Sequence, residues 1–134
     1  MAFKLINIKD RIADIFEKIV FVLNPYFDVL LLSSSDKNKE YLKYMFKCLE
    51  IRKELFKTTQ NDCLKEKLAL TYRNVWIIEA YNYVNKKELL DSALSLLEEL
   101  LNKHPNDPIY IFLIDDIKSH LKDKPICLNN PFDF

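Results

Sequence analysis

The residues of this chain that could do chemistry are few, and their spacing decides against most of it. His104 and His120 are its two histidines. Asp116 and His120 stand four apart, on one face of a helix, at a spacing that suits a divalent cation. Two ligands do not complete a site, and no HExxH or Cys/His cluster supplies the rest. The pair therefore reads as an exposed helical contact worth about a few tenths of a kcal/mol. His104 falls in the last turn of a helix, where an imidazolium favours the helix dipole. Glu98-Glu99 and Asp115-Asp116 are adjacent acids whose members point to different sides of a helix, so they read as solvated surface.

Cys48, Cys63 and Cys127 show no CxxC spacing, and an odd count argues against a disulfide framework. Cys48 and Cys63 lie in helical patterns and are expected as small buried apolar residues, in a reducing compartment. Glycine is absent altogether. That removes the Walker A loop, the GxGxxG and GxSxG turns and the EF-hand loop, each of which needs a backbone only glycine provides. No Ser/His/Asp or Cys/His triad assembles from what remains. The expectation is a non-catalytic protein without a cofactor or metal.

The elements that would position any site are helices. With no glycine, primed hairpins are hard to build, while Asn24, Asn85 and Asn102 stand where left-handed helix caps are needed. Lysine outnumbers arginine 17 to 3, and Asn, Ile, Phe and Tyr are plentiful. This is the bias of an AT-rich genome, so the missing glycine is partly mutational. Asn7-x-x-Asp10 has the form of a capping box, and Ile8, Ile12, Ile15, Phe16, Ile19, Val20 and Leu23 follow at helical spacing. Pro25 stops this helix or restarts it through "PYFDVLLL". Ser33 to Lys39 is the clearest loop.

"EYLKYMFKCLEIRKELFK" is apolar over about two-thirds of its circumference, with Lys43, Lys47, Glu50, Glu54 and Lys57 as a narrow polar stripe. Such a helix is central in a bundle or buried against a second chain. Thr59-x-x-Asp62 opens a long helix from Cys63 to Val84, and Asn85-x-x-Glu88 opens the next. Asp107-Pro108 opens the last with a capping acid and a proline in the first turn. Nothing alternates with a period of two. The fold class is all-α, a compact bundle of about five to seven helices. One domain over 1–124 and a C-terminal tail over 125–134 are expected.

Residues 74–107 are 34 in number, the length of one tetratricopeptide repeat. Ala93, Leu97 and Pro105 fall where that repeat places a small residue, a large apolar one and a helix-ending proline. The segment resembles one such repeat, and the helix from Pro108 resembles the capping helix of an array. Tyr81, Leu100 and Ile77 depart from the pattern, and residues 40–73 show no second copy. Of the polar positions the family uses to clamp a peptide carboxylate, Asn82 fits, whereas Val75, Ile78 and Glu79 do not. The resemblance implies a partner-binding inner face on the Asn74–Val84 helix, with Trp76, Glu79, Asn82 and Tyr83 exposed on it.

The expected function is a protein-interaction module, a subunit or assembly factor of a larger complex. Self-association through the Tyr41–Phe56 helix is the alternative. Residues 37–73 hold ten Lys/Arg against five Asp/Glu, a net +5, while residues 74–134 hold six against ten, a net −4. Lys37, Lys39, Lys43, Lys47, Arg52, Lys53 and Lys57, with Tyr41 and Tyr44, would be the nucleic-acid surface if there were one. Glu40, Glu50 and Glu54 interrupt it, and pairing with the acidic half is the simpler account. The apolar run around Asn24-Pro25 and Asp28 is too interrupted to span a bilayer, and a cytoplasmic setting is expected. In the tail, Asn130-Pro131-Phe132 is similar to the tripeptide that EH domains recognise, and Phe134 follows. These residues either dock on a partner or fold back over an apolar groove.

Overall fold

The computed structural model describes residues 2–21, 35–81 and 86–122. They form five helices, and no strand is found among them: α1 (Ala2–Phe21), α2 (Ser35–Thr58), α3 (Asp62–Tyr81), α4 (Lys87–Lys103) and α5 (Pro108–Lys122). The all-α bundle expected from the sequence is what forms. None of these helices is long and apolar enough to cross a membrane.

The helix ends follow local chemistry, with some differences from expectation. Asn61 Oδ1 accepts the Leu64 N–H at 2.7 Å, so Asn61 rather than Thr59 caps α3. Asp107 Oδ1 accepts the Ile109 N–H at 2.9 Å, and Pro108 is the first residue of α5, as expected. Asn102 lies inside α4, which closes instead at His104, whose N–H donates to the Leu100 carbonyl at 2.9 Å. α1 starts at Ala2, ahead of the Asn7 box, and α2 starts at Ser35, inside the stretch read as a loop. That stretch contains no Gly or Pro to stop a helix.

Sequential helices pack most heavily on one another. α2 runs antiparallel to α1, since Lys9 pairs with Glu54 at 3.1 Å while Val20 packs with Tyr41 and Met45. α3 and α4 are antiparallel too, pinned by Asp62–Lys103 at 3.0 Å and Glu79–Lys86 at 3.3 Å. α5 runs parallel to α3, with Arg73–Asp116 at 2.9 Å and the Trp76 and His120 rings 5.0 Å apart.

Two apolar cores result, and α3 contributes to both. Val20, Tyr41, Met45, Leu49, Leu68, Val75 and Ile78 join α1, α2 and α3. Ala69, Trp76 and Ala80 join α4 and α5 through Leu90, Ala93, Leu97, Leu100, Tyr110, Ile114 and Ile117. The apolar excess of the Tyr41–Phe56 helix is thus consumed largely inside the chain, on α1 and α3. Phe46 is the large apolar side chain of α2 that stays exposed among the described residues.

A buried cation fixes the orientation of α1. Arg52 Nη1 donates to Glu17 at 2.8 Å and to Thr71 Oγ1 at 2.6 Å, and Nη2 donates to Asp14 at 2.8 Å. Lys67 Nζ adds contacts to Asp10 at 3.4 Å and Asp14 at 3.2 Å. Burial disfavours the charge on Arg52, yet Glu17 and Asp14 outweigh it and raise its pKa above the usual value. Arg52 and Tyr41 are therefore structural: both are buried and cannot form the nucleic-acid surface they were candidates for.

The cysteines divide. Cys48 is buried, its Sγ 4.0 Å from Thr71 Oγ1, and burial pushes its thiol up to about 11. Cys63, expected in the core, is exposed on the first turn of α3. In a Cys127→Ser background at neutral pH, an aromatic disulfide reagent should label Cys63 promptly and Cys48 only on unfolding, by more than roughly a hundredfold in rate. Equal labelling of both thiols in the folded protein would contradict this arrangement.

Candidate protein-binding groove

α2 and α4 each pack chiefly on α3 rather than on one another. α3 passes behind them, and the gap between them is a groove with Tyr72 of α3 lining both halves. Its first half, about 580 Å³, is lined by Lys43, Phe46, Lys47, Leu49, Glu50 and Lys53 of α2, with Leu89 of α4 opposite. The second half, about 480 Å³, lies between Phe56 of α2 and Asp91, Ser92, Ser95 and Leu96 of α4, with Leu68 in its floor. Each half falls in the size range of ligand sites, but both are open troughs rather than cavities.

The sequence makes this groove by a simple device. Phe46, Lys43, Lys47, Glu50 and Lys53 belong to the outward side of α2, because the opposite side is taken by Tyr41, Met45, Cys48, Leu49, Arg52 and Leu55. Leu90, Ala93, Leu97 and Leu100 point α4 into the α3/α5 core, which leaves Leu89 and Leu96 half-buried on its flank. Burial raises the Tyr72 hydroxyl pKa, so the groove floor carries a neutral phenol at physiological pH.

The rim is cationic and partly organised. Lys86 Nζ sits 5.9 Å over the Phe46 ring while reaching Glu79 at 3.3 Å, and Lys65 Nζ sits 5.8 Å over Phe56. Lys43 and Lys53 make no ion pair with a described residue, which leaves two lysine charges available on one wall. Aromatic and leucine surface under a lysine rim suits a segment with apolar anchors and carboxylates. Asp91, Ser92 and Ser95 at the other end offer hydrogen bonds, but neither histidine lies in the groove lining to act as a base.

The residues expected to bind a partner fare differently. Trp76 and Glu79 are not exposed: both are buried, because α3 is wrapped by the other helices and has no free inner face at those positions. Glu79 Oε1 accepts from Lys86 Nζ, and its buried Oε2 has no partner among the described residues. Asn82 and Tyr83 lie outside the described residues, as do Asn130, Pro131, Phe132 and Phe134. Asp116 and His120, read as an exposed pair, are half-buried at 3.5 Å, and Asp116 is also gripped by Arg73. His104 Nε2 lies 3.3 Å from Asp62, whose carboxyl is held below its usual range by Lys103 and His104. Among the described residues no three His, Cys, Asp or Glu side chains gather as a metal site.

The groove residues Phe46, Tyr72 and Leu89 were missed. The signal available was the apolar Phe46 interrupting the polar stripe of α2, one residue from Lys47. Compared with protein-family models, with curated proteins and with solved structures, the chain matches none.

Proposed function

We propose that this chain is a non-catalytic protein-interaction module that takes an amphipathic, carboxylate-bearing segment of a partner into the groove between α2 and α4. The observation that carries the reading is that groove: Phe46, Tyr72 and Leu89 offer apolar anchor points beneath Lys43 and Lys53, with Glu50 on the same wall and the Lys47 ammonium over Phe16 of α1. Affinity in such sites is concentrated in aromatic anchors, while the charges steer and orient the partner. The packing of each helix on its neighbours in sequence, antiparallel pair on antiparallel pair, supports the repeat-like reading of residues 74–107 as part of the same proposal. In that reading the partner lies along α2 and α4, and the module is a subunit or adaptor of a larger intracellular complex.

Phe46 is the residue to change, because it is partly exposed and its loss leaves the core intact. Phe46→Glu should weaken the partner by roughly thirtyfold or more, in line with about 2 kcal/mol for an interface anchor. The melting temperature should move by no more than about 2 °C. Partner affinity unchanged in Phe46→Glu and in Leu89→Glu, with both proteins folded, would rule the groove out.

A further inference from the structure

α1 presents its apolar side chains to solvent and turns its acids inward. Leu5, Ile8, Ile12 and Ile15 recur at spacings of three and four, and their exposures are 54%, 54%, 38% and 56%. Ile19 continues the row half-buried. The opposite face holds Ala13 and Val20 in the bundle together with Asp10, Asp14 and Glu17, which grip Lys67 and Arg52. The helix cannot roll to bury its isoleucines without stripping the buried Arg52 of both carboxylates. At 100° per residue, Arg11 and Lys18 lie together along one border of the apolar row, and both are exposed. Lys9 stands on the other border, half-buried beside Glu54. The outward side of α1 is therefore an apolar ridge flanked by cations, with its acids facing α2 and α3.

Among the occupants such a row could take, the charges favour an anionic one. Residues 22–34 link Phe21 to Ser35, and Phe21 is about 24 Å from Leu5 at 1.5 Å per residue. Covering the whole row would need that segment fully stretched out and back. A second copy would set Arg11 and Lys18 against its own Arg11 and Lys18 or against Lys9, whose neighbour Glu54 is already engaged. An anionic surface answers both features at once: the apolar row enters the acyl boundary and the cations meet phosphates and carboxylates above it. A single convex helix at the edge of a bundle also meets a plane without a matching groove.

We propose that α1 is an interfacial helix that lies on an anionic lipid bilayer, its Leu5/Ile8/Ile12/Ile15 row in the headgroup–acyl boundary and Arg11 and Lys18 at the lipid charges. The row shares no residue with the α2/α4 groove, so the two surfaces act independently and the module carries its partner to a membrane. The test is flotation of the full chain with phosphatidylcholine vesicles, with and without phosphatidylserine. The expected result is association with the serine-containing vesicles at low salt, weakening as salt is raised. Ile8→Ser with Ile12→Ser should lower the partition coefficient roughly tenfold or more while the helical content and melting temperature are retained. Arg11→Glu with Lys18→Glu should remove the preference for phosphatidylserine. Absence of association with either vesicle overturns the proposal. Association unchanged by the two isoleucine substitutions overturns it equally, because the apolar row would then play no part.

Discussion

Trp76→Ala will cost about 4 kcal/mol of folding stability, the largest loss expected from a single truncation in this chain. Trp76 is fully buried, and the residues of its core come from three helices: Ala69 and Ala80 of α3, Leu90, Ala93 and Leu97 of α4, and Ile114 and Ile117 of α5. The small residues Ala69, Ala80 and Ala93 leave the space that the indole fills, and they cannot grow to refill it. The His120 ring, 5.0 Å away, is half-buried and fixed from the other side by Asp116 at 3.5 Å, so it cannot collapse into the gap either. The cost therefore lies toward the upper part of the range for large-to-small changes. Urea unfolding followed by circular dichroism measures it, since Trp76 is the sole tryptophan and its fluorescence is lost with the substitution. A midpoint lowered by about 2 M is expected for a chain of this size. A loss below about 1 kcal/mol would mean that the α3/α4/α5 core is not assembled around this side chain.

Arg52→Met will cost about 3 kcal/mol, for a different reason. The guanidinium is wholly buried and donates to Glu17, Asp14 and Thr71, so it joins α1, α2 and α3 at one point. Methionine fills much of the volume, and the loss is then electrostatic: Glu17 and the Thr71 hydroxyl lose the guanidinium, and Asp14 keeps Lys67 alone. Asp14 and Glu17 remain 35% and 32% exposed, so water recovers part of the penalty, which places the effect at the low end for a broken buried pair. The Nε group has no hydrogen-bond partner, so the native cluster is itself short of full satisfaction. Arg52→Lys should recover part of the loss, because it restores the charge but not the fork that reaches two carboxylates. The comparison of Met with Lys by urea unfolding separates charge from packing. If Arg52→Met is as stable as the parent protein, the cluster does not hold α1 in place, and the inward orientation of its acids loses its explanation.

Much of the fold was legible because helix signals are local. Asp107-Pro108 marks the start of α5, and the 3.6-residue recurrence of Leu90, Ala93, Leu97 and Leu100 marks the buried side of α4. The site was not legible, for reasons that lie in tertiary contacts. On α3, Leu68, Ala69, Thr71, Val75, Trp76, Ile78, Glu79 and Ala80 are all buried over rather more than half the circumference, and the remaining arc (Glu66, Leu70, Arg73, Asn74 and Ile77) is half-buried, so no exposed face marks a direction. Trp76 and Glu79 therefore looked like an accessible face when they are interior. On α1 the periodicity is clear, but it points outward. The Ile8, Ile12 and Ile15 row looks like a core stripe until Arg52 and Lys67 are seen to draw Asp10, Asp14 and Glu17 inward. Arg52 is grouped by sequence with the lysines of a basic segment expected to pair with the acidic C-terminal half, and only the packing of three helices reveals it as a buried cation held by Asp14 and Glu17 of α1.

The groove between α2 and α4 is the centre of the functional account, and photocrosslinking addresses it most directly. A photoreactive phenylalanine analogue is placed at position 46 in the groove, and separately at position 112 on the exposed side of α5, and each protein is irradiated in extract of its source cells. The account predicts one stoichiometric adduct from position 46, suppressed when Tyr72 or Leu89 is changed to glutamate, and no such adduct from position 112. An adduct formed from position 112 and absent from position 46 would contradict it, and would move the partner-binding surface to α5.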